Sequence, residues 1–223
     1  LGLALALLAA YGVQTWLERA LGPDAAHAAA AFLLNFSQVP ESDAPWRYLS
    51  TAFVHASLGS SFGLLHVGFN VWVLFDLGRL YEARRHWGSL LAAFVFGTAA
   101  GAYLTSVMQA GDQLVLVGAS GGVLGVAGAL LADTLNSKNP YDRSLTRSLL
   151  QWVAIIMVLS VAIPQVSLWG HAGGLLGGLL WGFLRQGLGP ANAALPDRVA
   201  GAASLLAIGW ALAMVAGWLL RYT

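Results

Sequence analysis

The sequence predicts an all-α membrane protein, a bundle of seven apolar helices that cross a bilayer. Three observations carry this expectation. Of 223 residues, 58% are hydrophobic and 9% charged, and the mean hydropathy is +0.70. A soluble domain of this size has about 25% charged residues, so the deficit assigns most of the surface to lipid. Seven stretches reach the length of a span, roughly 1–17, 62–81, 88–108, 115–132, 148–164, 167–186 and 199–220, against the ~17 to 25 residues that a bilayer core requires. The third observation is an uneven distribution of Lys and Arg.

The first stretch, Leu1 to Leu17, has the apolar character of a signal peptide. It lacks a basic leading region, and Gln14 to Leu17 offers no small-residue cleavage site, so it is read as a first span shortened at its start. With the N-terminus in the cytoplasm, the inner connections hold Arg79, Arg84, Arg85, Lys138, Arg143, Arg147, Arg185 and Arg198. The outer ones hold Arg19, Arg47 and Arg221, a split of eight against three. That bias sets orientation, so the second, fourth and sixth spans descend from the outer face. A bacterial-type inner membrane is the expected location. The fourth span is short unless Leu114 to Val117 belongs to it.

The outer segment from Glu18 to Ser61 is longer than the other connections. Trp46, Leu49 and Phe53 fall at i, i+3 and i+7, one face of a helix. Either a partly apolar helix in the membrane interface or an ordinary structured loop suits them. Gly170, Gly174, Gly178 and Gly182 repeat every four residues on the sixth span, and Gly118/Gly122, Gly121/Gly125 and Gly97/Gly101 repeat the spacing. Small residues at i, i+4 let helices approach closely in lipid. The pattern predicts a tight bundle and specifies no chemistry. The chain is read as one polytopic domain over 1–223. It has no cysteine, which excludes disulfides and thiolate metal sites. A net charge of +1 gives no sign of a nucleic-acid partner.

Polar side chains inside a membrane are expensive, so each is a functional hypothesis. His66 and Asn70 on the second span, Ser120 on the fourth and His171 on the sixth stand out. Each of the two histidines and the serine lies four or five residues in from the outer end of its span, ~6 to 8 Å deep. Asn70 is one turn below His66 on the same face. At that depth a cavity open to the outside can supply water. Taken singly, Ser120 is an ordinary packing residue, and His66 with Asn70 an ordinary hydrogen-bonded pair. Together they suit hydrolysis. A serine hydroxyl becomes a nucleophile when a base takes its proton, and histidine titrates in the right range. The oxyanion of the intermediate needs donors. The Ser120 backbone N–H, His66 and Asn70 can provide them. Gly118 and Gly121 let backbone and substrate approach without a Cβ. Asp76 lies six residues below Asn70, ~9 Å lower, where it can pair with Arg79. With no third acid at the site, a Ser120–His171 dyad is expected, its imidazole oriented by packing. His27, His55 and His86 are expected in interfaces or loops, and Asp112 and Asp133 as solvated or capping groups. No metal site is expected, since His66 and His171 have no carboxylate at their level.

Gly118-x-Ser120-Gly121, His66-x-x-x-Asn70 and His171-x-x-Gly174-x-x-x-Gly178, in that order on the fourth, second and sixth spans, resemble the rhomboid protease signature. Trp46-Arg47 resembles the first-loop Trp-Arg pair of that family, and Gly78-x-x-x-Glu82 followed by Gly88 the segment after its second helix. The resemblance runs from about Trp46 to Gly182. The serine motif alone is weak among 27 glycines; the three motifs in register are specific. The resemblance implies a six-helix core, here 1–186, with the stretch 199–220 as an added C-terminal span. It also implies intramembrane serine endopeptidase activity with no cofactor, on single-span transmembrane substrates admitted laterally between the second and fifth helices. The substrate should carry helix-weakening residues near the cut and small side chains at the cleaved bond. The oligomeric state is not legible. Departures are the eleven-residue gap from His55 to His66, with Ser57 to Gly63 as an extension of the rim, Gly170 before the histidine, Val166 where a glycine is common, and Leu124 where some relatives stack an aromatic on the histidine. Two other readings compete: a catalytically silent rhomboid-like binder of membrane proteins, and a small transporter. A transporter would favour polar groups at the midplane.

Overall fold

The computed structural model describes residues 2–22, 34–35, 44–57, 60, 62–110, 115–190 and 193–222. The all-α class holds for them. The helices are α1 (Gly2–Leu21), α2 (Arg47–Ser50) running into a 3-10 turn (Thr51–Phe53), α3 (Gly63–Glu82), α4 (Trp87–Met108), α5 (Ser120–Thr134), α6 (Pro140–Ala162), α7 (Leu168–Gly187) and α8 (Ala194–Tyr222). Two-residue strands β1 (Leu34–Asn35) and β2 (Val115–Leu116) pair antiparallel. Among the described residues, Trp87–Met108, Pro140–Ala162 and Ala194–Leu220 are long and apolar enough to cross a membrane. Helices α1, α3 and α7 have 20 residues each, about 30 Å of helix, with polar side chains among the apolar ones.

Helix α5 is apolar around its whole circumference and is therefore the centre of the bundle. Val126, Ala127, Ala129 and Leu130 have no exposed surface. Helices α3, α4, α6 and α7 pack around it. The glycine spacing does what it predicted. A Cβ on Gly174 would meet the backbone of Gly121, and one on Gly178 the backbone of Gly125. One on Gly97 would lie 2.5 Å from the Gly125 Cα, and one on Gly101 2.5 Å from the Gly170 carbonyl oxygen. Helices α4, α5 and α7 thus touch backbone to backbone.

Two boundaries differ from the sequence reading. Helix α5 starts at Ser120 rather than near residue 115, because Val115–Leu116 is held in the strand pair and Gly118 has φ +110°. Helix α6 starts at Pro140, eight residues before the predicted 148, with the Asn139 side chain accepting the Tyr141 N–H at 2.9 Å. Proline at the first helical position loses no hydrogen bond.

The helical periodicity of Trp46, Leu49 and Phe53 is real, and Trp46 and Phe53 are buried against other parts of the protein. Trp46 packs on Ala211 and Val215 of α8, and Phe53 joins the main core. At the end of the bundle away from Ser120, charges are paired. Arg85 donates to both oxygens of Asp133 at 2.8 and 2.6 Å. Arg84 pairs with Asp142 at 2.5 Å. Arg185, fully buried, pairs with Asp197 and donates to the carbonyls of Gly189 and Ala193 at 3.1 and 2.9 Å. Asp133 is therefore neither solvated nor a cap: the last turn of α5 packs against the α3–α4 turn and meets Arg85 there. Among the described residues no ion pair joins Asp76 to Arg79; the guanidinium lies 5.6 Å from the centre of the Phe75 ring. His27 and Asp112 lie outside the described residues, as does part of the stretch Ser57 to Gly63.

Gly178→Ala is expected to destabilise the fold by about 1 to 3 kcal/mol through overpacking. Gly209→Ala, with nothing within 4 Å of the added Cβ, should leave it unchanged. Midpoints of unfolding in detergent compare the two.

Candidate active site

Ser120 is the first residue of α5. The segment leading to it is fixed from the side of the 3-10 turn. The Thr51 hydroxyl donates to the Leu116 carbonyl, the Gly118 N–H donates to the Thr51 carbonyl at 3.1 Å, and the Ala119 N–H donates to His55 Nε2 at 3.4 Å. The loop, not a turn of helix, carries the serine to its level. The first N–H groups of a helix have no intrahelical acceptor, and that of Ser120 is among them.

Gly118 must be glycine on two grounds. Its φ of +110° is rarely adopted by L side chains, and a Cβ there would lie 2.7 Å from His66 Nε2. His66 and Asn70, on one face of α3, thus point at the backbone just before Ser120. The Ala56 N–H donates to His66 Nδ1 at 3.5 Å, a long bond that leaves Nε2 as the protonated nitrogen facing Gly118. Asn70 uses one N–H on the His66 carbonyl at 3.0 Å and keeps the other. Phe62 stacks on the His66 ring at 5.6 Å, and His55 meets it edge-on at 5.1 Å.

His171 stands in the first turn of α7, which Ser167 caps by accepting the Gly170 N–H at 3.0 Å. Its Nδ1 lies 2.7 Å from the hydroxyl of Ser160 on α6. The ring is therefore held by a hydrogen bond and not, as expected, by packing alone. Leu124 lies beside it in the same cavity and offers no polar atom. Among the described residues no hydrogen bond joins the Ser120 hydroxyl to His171. Such bonds are often long without substrate and tighten on binding.

Ser120, His171, His66 and Asn70 all line one cavity of about 370 Å³. Helix α3 supplies one wall through Phe69 and Val73, and α6 the other through Trp152 and Ile156. Most of the lining is apolar, with a small number of polar side chains among it, as in small-molecule sites generally. Asp76 and His86 take no part: Asp76 is exposed, and His86 caps α4 by accepting the Gly88 N–H at 3.2 Å.

Sequence reasoning missed His55 and Ser160. His55 was expected in a loop or interface. It is in a loop, yet only 2% exposed, beneath the serine loop. The side chain of Gln14 on α1 bonds its carbonyl at 2.8 Å and its N–H at 3.0 Å, which seats it there. Ser160 had a usable signal, a hydroxyl in the apolar run Met157 to Ala162.

The family described as Rhomboid domain matches residues 42–187. Similar proteins include "Rhomboid protease GluP" of Bacillus subtilis (strain 168), 29% identical over 73% of this chain and 30% of its own length. "RHOMBOID-like protein 5" of Arabidopsis thaliana is 28% identical over 62% of this chain and 43% of its own. "RHOMBOID-like protein 6, mitochondrial" of the same plant is 26% identical over 74% and 51%. The chain spans about half or less of the length of these relatives.

Burial, and secondarily the neighbouring His66, pushes His55 down from 6.5 to about 3. The unfolded chain binds a proton on this ring below pH 6.5 and the folded one only near pH 3. Stability contributed by the buried neutral ring is thus present above pH 6.5 and lost as pH falls towards 3. Between pH 7.5 and 5 the wild type should lose about 2 kcal/mol more than His55→Gln, read from unfolding midpoints at the two pH values.

Proposed function

Since the chain belongs to the rhomboid family, we propose that it is an intramembrane serine endopeptidase with Ser120 as nucleophile and His171 as base. The observation that carries this reading is that Ser120, His171, His66 and Asn70, from three helices, line one largely apolar cavity. His171 Nε2 takes the hydroxyl proton as Ser120 Oγ attacks the scissile carbonyl. His66 Nε2–H, the free N–H of Asn70 and the backbone N–H of Ser120 stabilise the oxyanion, beside the space that Gly118 leaves open. The protonated His171 gives its proton to the leaving amine, and an acyl-enzyme remains. His171 then takes a proton from water, whose oxygen attacks the ester, and the proton returns to Ser120.

Helices α1, α3, α4, α5, α6 and α7 make the six-helix core on this reading, and α8 is the seventh span. The cavity end lies towards the outer face, and the paired Arg84, Arg85 and Arg185 end lies in the cytoplasm, in an inner (cell) membrane. The substrate is a single-span protein admitted between α3 and α6. Its helix must be weak near the cut, because a carbonyl inside a regular helix is hydrogen-bonded and shielded. A silent rhomboid-like binder is favoured only by the unmade Ser120–His171 hydrogen bond.

Cleavage of a single-span reporter in liposomes tests the reading. Ser120→Ala and His171→Ala should each lower cleavage by at least ~10³-fold. His66→Ala and Asn70→Ala should each lower kcat by ~10² to 10³-fold, the usual effect of losing one oxyanion donor. Equal product from wild type and Ser120→Ala would sink the proposal. A silent binder would retain the reporter and yield no product.

A further inference from the structure

The hydrogen-bond chain behind His171 contains a group that the dyad does not use. Ser160 is 6% exposed, near the end of an α6 whose neighbouring positions Val158 and Val161 are open to the surroundings. Its hydroxyl makes two short contacts, 2.7 Å to the Ile156 carbonyl and 2.7 Å to His171 Nδ1. A carbonyl has no proton to give, so the one hydroxyl proton is committed to Ile156. The oxygen is then an acceptor towards His171, and Nδ1 must carry the proton. In a neutral imidazole the other nitrogen is left with the lone pair. Back-bonding to the i−4 carbonyl is common for serine in helices. That habit explains the Ile156 contact and not the one to Nδ1.

We propose that Ser160 is the positioning residue of the base: by accepting Nδ1–H it fixes the tautomer and tilt of His171 and presents Nε2 to Ser120. The proposal rests on the reading of Ser120 and His171 as nucleophile and base. It adds a third member, a hydroxyl where other hydrolases place a carboxylate. Among the described residues no other polar side chain is hydrogen-bonded to His171. Leu124 and Ile156 pack in the same cavity without a polar side-chain atom to replace Ser160. The hydroxyl carries no charge, so it orients the ring at no cost of burying a second ion.

The test uses the full chain in liposomes with a single-span reporter, comparing wild type, Ser160→Ala, Ser160→Thr and Ser120→Ala. Ser160→Ala should lower kcat about tenfold, the loss of one hydrogen bond's net contribution, with KM unchanged. Ser160→Thr keeps the hydroxyl and should restore most of the rate. In ¹⁵N spectra of labelled wild type, His171 should be a single tautomer protonated on Nδ1, and Ser160→Ala should show a mixture. A Ser160→Ala protein that cleaves at the wild-type rate while Ser120→Ala is dead overturns the inference and leaves the dyad standing. Equal cleavage by wild type and Ser120→Ala overturns the dyad instead. Should Ser160→Ala not fold, the wild-type spectrum decides: an Nδ1 without a proton overturns the inference.

Discussion

Gly174 has no room for a side chain because the backbone of Gly121 occupies that space. Gly121 follows Ser120, and Gly174 stands one turn beyond His171 on α7. This close backbone contact therefore sets the register between the serine and the histidine. Gly178 on Gly125 repeats the contact a turn further on, and Gly101 on Gly170 ties α4 into the same seam. Lipid tails give helices little hydrophobic reason to associate, so packing of this kind supplies the association itself. A larger residue at Gly174 would part the helices where the site needs them together.

The seam holds α5 and α7 but leaves the approach to Ser120 unsupported, since Gly118 and Ala119 lie outside the helix. That support comes from far away in the chain. Gln14 on α1 grips both backbone groups of His55, and the His55 ring accepts the Ala119 N–H. Thr51 holds the same loop at Leu116 and Gly118. The N-terminal helix thus acts on the serine loop through two hydrogen-bonded steps. Glu18 adds a third tie to the same segment by accepting the Ser57 hydroxyl proton at 2.9 Å.

The two ends of the bundle are built differently. At the far end Arg85–Asp133 and Arg185–Asp197 are buried ion pairs, and Arg185 also donates to backbone carbonyls. Pairs of this kind are costly to break, because removing one partner strands a buried charge. At the cavity end the side chains of His66, Asn70 and His171 each make one hydrogen bond. That end keeps an open space between α3 and α6. Helix α6, which forms one wall of that space, also carries Ser160, the hydroxyl behind His171.

The helical class, the glycine spacing that brings helices into contact, and four of the polar residues that line the cavity follow from the sequence alone. These were legible because each is a local signal. Apolar runs have the length of a bilayer, small residues recur every four positions, and a lone polar group in an apolar run is conspicuous. Residues 115–119 read as the start of the fourth span, yet Val115–Leu116 is a strand, Gly118 has a positive φ and the helix begins at Ser120 itself; hydropathy does not distinguish an apolar loop from an apolar helix. The partners of Asp133, the seat of Trp46 and the burial of His55 were decided only by the tertiary structure. Each depends on a residue 41 or more positions away: Arg85 for Asp133, Ala211 for Trp46 and Gln14 for His55. Ser160 lay between the two cases. Its polarity was visible in the sequence, but its meaning required the fold to bring His171 from the next helix to within 2.7 Å.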